Sequence, residues 1–133
     1  MTFTIAQVAE QTGLSQHTLR YYERDGLMPG AVARSSSGHR QYTEADLRMI
    51  ILISRLRSTG MHIRDIRRYA ELLRQGPGNE GERLEILRVH RDQVLKQLAD
   101  MTENLRAVED KIGVYEEAQA TAAQLTEPLK LVV

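Results

Sequence analysis

Apolar residues recur every three or four positions in four short segments of the first 75 residues, which predicts four short amphipathic helices. The first segment has Thr4 and Gln7 at capping-box spacing before its apolar positions and Gly13 after them. The second segment can be capped by Ser15 and ends by Gly26. A Gly-Leu-Ser turn joins the two helices, and this arrangement is typical of a helix-turn-helix.

A short β-hairpin is predicted between the second and third helices. Residues 34–42 combine a Ser-rich turn with alternating Arg, His and Tyr, as in an exposed hairpin. Thr43 and Asp46 can then cap a third helix that ends at Gly60, and a fourth helix follows. The predicted core positions of these two helices are Leu47, Ile50, Ile51, Leu56, Ile63, Ile66, Tyr69, Ala70 and Leu73.

One long helix is predicted after residue 79, where apolar side chains step by alternating threes and fours for more than four heptads. A domain of 75 residues is too small to cover a stripe of that length, so the predicted partner is the same helix of a second copy. The predicted dimerisation residues are Leu84, Leu87, Arg91, Val94, Leu98, Met101, Leu105, Val108, Ile112 and Tyr115.

The chain therefore divides into a helical domain at 1–75, a turn-rich linker at 76–81, a coiled-coil helix at 82–118 and a short tail at 119–133. Its longest apolar run, residues 49–53, is far shorter than the roughly 20 residues that span a membrane. The N-terminus also has no secretory signal pattern. We therefore expect a soluble cytoplasmic protein that has no membrane partner.

Charge divides the chain at the same place. The 133 residues contain 18 Lys and Arg and 18 Asp and Glu, and a net charge of zero argues against a nucleic-acid partner. Up to Gln75, however, there are eleven basic and seven acidic residues, whereas the remainder has seven basic and eleven acidic ones. The first domain therefore carries +4 and the rest −4, so the basic domain remains a candidate for binding DNA.

The exposed side of the second predicted helix carries groups that contact DNA in other proteins. Arg, Gln and His can bind base edges, and Arg and Tyr can bind phosphate oxygens. The predicted hairpin adds further cations that can follow the DNA backbone. These candidate DNA-binding residues are Gln16, His17, Arg20, Tyr21 and Arg24 on the helix and Arg34, His39 and Arg40 on the hairpin.

The sequence gives little support for an enzymatic activity or a metal site. The chain has no Ser/His/Asp order typical of a catalytic triad and no Gly-rich phosphate loop. Its four His residues fall on four different elements, and it has no Cys, which excludes thiolate metal sites and disulfides. We therefore expect a protein that is not an enzyme and that holds no metal or other cofactor.

Several motifs occur in order and at consistent spacing: Ile5-Ala-Gln-Val-Ala9, Gly13-Leu-Ser15, Thr18-Leu-Arg-Tyr-Tyr-Glu-Arg24, Gly26-Leu27, Gly38-His-Arg-Gln-Tyr42, Asp46-Leu47 and Leu56-Arg-x-x-Gly60-Met. Over residues 3–118 the chain resembles the MerR family of transcription regulators. The resemblance implies a mainly α fold, in which a winged helix-turn-helix head precedes a long dimerisation helix that forms an antiparallel coiled coil.

In function, the resemblance implies a homodimer that binds a palindromic operator in double-stranded DNA and distorts it for RNA polymerase at the promoter in response to a signal. Arg20 and Tyr21 would contact phosphates or a base edge, and His39 and Arg40 would be the contacts of the wing. Tyr42 would brace the wing or reach a phosphate. The motifs add Ser15, Thr18 and Gly38 to the DNA-binding set, and Arg64 matches a second wing.

The later part of the chain resembles the aldehyde- and thiol-stress branch of that family. Members of this branch often sense through a cysteine, and because this chain has none, thiol sensing is excluded and the effector is unknown. Arg91 either sets the register of the coiled coil or lines an effector pocket with His90, although a surface or DNA-facing position is expected for each His. His62 replaces the usual helix cap. The alternatives to a regulator are an architectural DNA-bending protein of the excisionase type, which needs no effector, and a coiled-coil adaptor.

Overall fold

The protein, a computed structural model, is described for residues 1–126. Three short strands and five helices follow the order β1 (Thr2–Phe3), α1 (Ile5–Thr12), α2 (Gln16–Arg24), β2 (Ala33–Arg34), β3 (Arg40–Thr43), α3 (Glu44–Ser58), α4 (Ile63–Arg74) and α5 (Glu80–Thr126). The predicted fold class, a mainly α winged helix-turn-helix followed by a long helix, is confirmed.

The strands form one small antiparallel sheet in the order β1-β3-β2. Strands β2 and β3 are the predicted hairpin, with Arg34 opposite Arg40. We call residues 33–43, which are these strands and the turn between them, the wing. Strand β1 was not predicted, and it places Phe3 opposite Tyr42 on the other side of β3. The wing is thereby tied to the start of α1.

Two reciprocal capping boxes fix the starts of α1 and α3. The Thr4 hydroxyl accepts from the Gln7 backbone N–H at 3.1 Å, and the Gln7 side chain accepts from the Thr4 N–H at 2.8 Å. Thr43 and Asp46 make the same pair of bonds at 3.0 and 2.9 Å. Each such cap contributes about 1 kcal/mol of helix stability. Both predicted capping boxes are confirmed, whereas the His62 side chain makes no capping hydrogen bond to α4.

The core lies between the first four helices and β3. Its most deeply buried side chains include Val8, Leu19, Ile50, Ile53 and Ile66, each no more than 1% exposed. Ile51 was predicted to be a core residue, but it is 39% exposed. The reason is the helical period, because Ile50 and Ile53 share one face of α3 while Ile51 is rotated about 100° away from Ile50.

Helix α5 continues eight residues past position 118, where we expected the coiled-coil segment to end. The heptad pattern stops there, but four alanines between positions 118 and 123 favour continued helix. The predicted tail is therefore helical as far as Thr126, and its last residues, 127–133, lie outside the described part of the chain. No helix within residues 1–126 is long and apolar enough to cross a membrane.

The chain forms two compact units, of which the first, Met1–Arg91, includes the first turns of α5. We call this unit the head. Ile86 and Leu87 pack on the core of the head. His90 is 7% exposed, and its Nε2 lies 2.7 Å from the Thr59 hydroxyl at the end of α3. The expectation that His90 lies at the surface is therefore wrong, because residues 80–91 pack against the helices that precede them. The second unit begins at Asp92.

Candidate nucleic-acid interface

Helix α2 presents a polar face because its two apolar side chains are buried. Leu19 and Tyr22 are 1% and 4% exposed and anchor the helix to the core. The Ser15 hydroxyl caps the helix by accepting from the Thr18 backbone N–H at 3.0 Å, and it donates to the Thr18 hydroxyl at 2.9 Å. Ser15, predicted to bind DNA, is thus engaged in holding the start of α2. The exposed residues of this helix are Gln16, His17, Arg20 and Arg24.

A cavity of about 300 Å³ separates α2 from the wing, and we call it the wing notch. Arg20 and Gln16 form its α2 side, and the Arg20 Nη2 donates to the Gln16 Oε1 at 3.3 Å. The structure therefore brings together six predicted DNA-binding residues. The full lining is Thr4, Ile5, Ala6, Gln16, Arg20, Arg34, Gly38, His39 and Arg40.

The wing is held in shape by hydrogen bonds within its own turn. The Gly38 N–H donates to the Ser35 carbonyl at 2.9 Å, and the Ser35 N–H donates to the His39 carbonyl at 2.8 Å. Gly38 has a φ of 84°, a conformation that side-chain-bearing residues rarely adopt. The Arg34 Nη1 donates to the Gly38 carbonyl at 3.2 Å. These bonds present the cations of the wing from an ordered turn.

A second cavity, of about 280 Å³, lies on the other side of α2 between that helix and α3. We call it the tyrosine notch, and it is lined by His17, Thr18, Tyr21, Tyr22 and Arg57. Burial raises the pKa of the Tyr22 phenol, and the positive charge of Arg57 partly opposes that rise. Arg57 was not predicted to bind DNA. The sequence shows only a cation next to the predicted core residue Leu56, and the structure shows that the Arg57 side chain is exposed.

Tyr42 was predicted among the DNA-binding residues, but the structure places it in the core. It is 1% exposed, and its hydroxyl has no hydrogen-bond partner among residues 1–126. Burial raises the pKa of this phenol, against the smaller opposing effects of Arg40 and Arg20. Of the two roles expected for Tyr42, this burial favours bracing the wing from inside over contact with a phosphate.

The remaining predicted residues lie apart from the two notches. Arg24 borders a third cavity, of about 470 Å³, at the end of α2. Arg64 has a side chain that is 84% exposed in the first turn of α4, and its Nε lies 3.7 Å from the Asp65 carboxylate. Arg64 lines neither notch.

No group of three or more His, Asp or Glu side chains within residues 1–126 is arranged to hold a metal ion. The side chains that form the candidate interface include cations, amides and phenols. Such groups bind phosphate oxygens and base edges directly.

Residues 3–73 match a family described as MerR HTH family regulatory proteins. An uncharacterised HTH-type transcriptional regulator of Haemophilus influenzae is 38% identical over 120 residues, which cover 90% of this chain and 88% of the relative. Among solved structures, HiNmlR is described as a MerR family regulator that lacks the sensor domain and is bound to promoter DNA. Its TM-score is 0.81 at 38% identity, and the match covers 90% of this chain and 94% of the HiNmlR chain.

A second solved structure is a MerR family transcriptional regulator of Listeria monocytogenes. It has a TM-score of 0.85 at 30% identity and covers 96% of both chains.

Proposed function

The chain belongs to the MerR HTH family of regulatory proteins, and on that premise we propose that it is a homodimer that binds a palindromic operator in double-stranded DNA. The observation that carries the proposal is the position of α2. Its polar face, anchored by the buried Leu19 and Tyr22, stands between two notches lined with cations and phenols. A helix presented in this way can enter the major groove while the notches receive the two flanking phosphate backbones.

Arg20 and Gln16 are the proposed base-reading residues, since a guanidinium and an amide can each make paired hydrogen bonds to a base edge. Backbone contacts come from the wing on one side and from the tyrosine notch on the other. Ser15, Thr18 and Gly38 support these contacts by holding α2 and the wing turn in place. The proposed backbone contacts are His17, Tyr21, Arg24, Arg34, His39, Arg40 and Arg57, with Arg64 outside the central site.

The proposed dimer forms through α5. Seven apolar residues at the heptad positions of this helix are 46% to 68% exposed, which leaves an apolar stripe to be covered, interrupted between Leu84 and Leu98. An antiparallel coiled coil with a second copy covers such a stripe. Leu87 contributes less to this stripe because its side chain also packs on the core of the head. The exposed stripe consists of Leu84, Leu98, Met101, Leu105, Val108, Ile112 and Tyr115.

The regulatory step proposed for this dimer is distortion of the operator, which changes how RNA polymerase engages the promoter. HiNmlR, a similar protein, is described as lacking the sensor domain and binding promoter DNA, which supports a regulator of this compact form. The signal is unidentified, and with no cysteine in the chain it does not act through a thiol. The proposed compartment is the cytoplasm, where promoter and polymerase meet.

The test begins with selection of binding sites from randomised duplexes, followed by footprinting on the selected sequence. We expect a palindromic footprint and an affinity that falls steeply with salt. Arg20→Ala should weaken operator binding by about 1 to 3 kcal/mol without unfolding the protein. Arg48→Ala is the matched control, because Arg48 is exposed on α3 and lines neither notch.

Equal binding by both variants would remove Arg20 from the interface, and no salt-dependent binding by the unaltered protein would refute DNA binding. Transcription in vitro from a promoter with the dimer bound separates the two remaining DNA-binding classes. A regulator changes the transcript yield when the effector or a cell extract is added, whereas an architectural protein does not.

A further inference from the structure

Glu23 is an acid at a site that is otherwise cationic. It lies in the last turn of α2 and, with Arg24 and Arg40, lines the third cavity. A carboxylate at this point repels phosphate, so by charge alone it weakens DNA binding. Its side chain is only 17% exposed, which indicates that it is held in place by its neighbours.

The Glu23 carboxylate hydrogen-bonds to one strand of the wing and lies at ion-pair distance from the other. Its Oε2 accepts a hydrogen bond from the Arg40 Nε at 2.5 Å, and its Oε1 lies 3.9 Å from the Arg34 Nη2. Arg40 belongs to β3 and Arg34 to β2, where the two residues are directly opposite each other. Through these two contacts, one carboxylate on α2 connects that helix to both strands of the wing.

The contact with Glu23 does not use the two terminal amino groups of the Arg40 guanidinium. Arg40 bonds to Glu23 through Nε, and its two terminal amino groups make no hydrogen bond within residues 1–126. Its side chain is 21% exposed and lines both the wing notch and the third cavity. These two groups form the edge of the guanidinium that can bind a phosphate in a bidentate manner. A guanidinium whose plane is already fixed loses less conformational entropy when it binds.

We propose that Glu23 is a positioning residue for DNA binding, which orients Arg40 toward the phosphate backbone and sets the angle of the wing relative to α2. This inference rests on the proposed function, because it needs DNA as the ligand. The gain in orientation outweighs the repulsion between the carboxylate and the phosphates.

Charge and orientation predict opposite effects for the same substitution. Glu23→Gln removes a negative charge, so it tightens operator binding if Glu23 acts only through its charge. If Glu23 positions Arg40, the same variant weakens binding by about tenfold, a factor that corresponds to about 1.4 kcal/mol. The control Glu10→Gln removes an exposed acid of α1 that lines none of the three cavities near α2. We expect it to tighten binding slightly or leave it unchanged.

The experiment measures operator affinity by fluorescence anisotropy for the unaltered protein, Glu23→Gln, Arg40→Ala and the double variant. We expect Glu23→Gln to weaken binding in the unaltered background and to change it less than twofold when Arg40 is already Ala, because the two residues act through one contact. Glu23→Asp retains the charge but is one methylene shorter. It should also weaken binding, and it serves as the second variant if Glu23→Gln does not fold.

A readout without DNA tests the contact itself. The Nε–H proton of Arg40 should give a resolved, slowly exchanging NMR signal in the unaltered protein, and this signal should be lost in Glu23→Ala, which has no acceptor at this position. The inference is overturned if Glu23→Gln binds the operator as tightly as the unaltered protein or more tightly, or if it weakens binding equally in the Arg40→Ala background. If the unaltered protein binds no duplex, the proposed function fails and this inference fails with it.

Discussion

Leu98→Asp tests whether the apolar stripe of α5 is the dimer interface. Leu98 lies at an a position near the middle of the stripe and is 61% exposed. Full burial of a Leu side chain stabilises a protein by about 1.5 to 3 kcal/mol, so covering the exposed part of Leu98 contributes about 1.5 kcal/mol per copy. Both copies lose this contribution in the variant, which amounts to about 3 kcal/mol per dimer.

A loss of about 3 kcal/mol raises the dissociation constant of the dimer by about a hundredfold. Desolvation of the two introduced carboxylates raises it further, since a buried unpaired charge is costly. We therefore expect Leu98→Asp to be monomeric at micromolar concentration, where the unaltered protein is a dimer. Operator affinity should fall when dimerisation is lost, because two half-sites are no longer engaged together.

Sedimentation equilibrium measures this change directly. Ala99→Asp is the matched control, since it introduces the same acid one residue later, at a b position on the outer side of the helix. We expect the control to sediment as a dimer. If Leu98→Asp also sediments as a dimer with an unchanged dissociation constant, the apolar stripe is not the interface and the heptad assignment is refuted.

Three further predictions concern the head. Arg57→Gln should weaken operator binding and reduce the slope of log affinity against log salt by about one, as expected for a lost phosphate contact; an unchanged slope in an anisotropy titration would place Arg57 away from the DNA. Tyr42→Phe should raise the free energy of unfolding by about 1 kcal/mol in urea denaturation, because it removes a buried hydroxyl that has no partner within residues 1–126. Operator affinity should not change in this variant, and a large loss would indicate that the hydroxyl does reach DNA. Burial raises the pKa of the Tyr42 phenol above its ordinary value of 10.0, so the folded state keeps this phenol protonated at pH values where the unfolded chain loses the proton, and the free energy of unfolding falls as the pH rises from about 10.0 through the folded pKa. Melting temperatures measured across this range should fall less in Tyr42→Phe than in the unaltered protein, and identical pH profiles would contradict that assignment.

The helices of the head were predictable because each has a local signal. Thr4 and Thr43 cap their helices through side chains three residues away, so four-residue patterns were enough to find both starts. Leu19 and Tyr22, three positions apart, indicated which face of α2 is buried. Strand β1 was missed because a strand of two residues is too short to show alternation.

The candidate site was less predictable because its parts meet only in the folded chain. The contact between Glu23 and Arg40 joins residues 17 positions apart, and nothing in the local sequence indicates it. Tyr42 alternates with exposed neighbours in β3, and that pattern alone does not show which face of the strand is buried. Arg57 lies on a different helix from the other residues of the tyrosine notch, so only packing of α3 against α2 reveals it.

The burial of His90 determines where the protein can be divided. A fragment that ends at residue 75 lacks Ile86, Leu87 and His90, and it leaves both the core and the Thr59 hydroxyl uncovered on that side. A fragment of residues 1–91 keeps these contacts and omits most of the apolar stripe. Such a fragment should fold as a soluble monomer that occupies single half-sites. Produced in excess in a cell, it would compete with the intact regulator for its operators and act as a dominant-negative inhibitor.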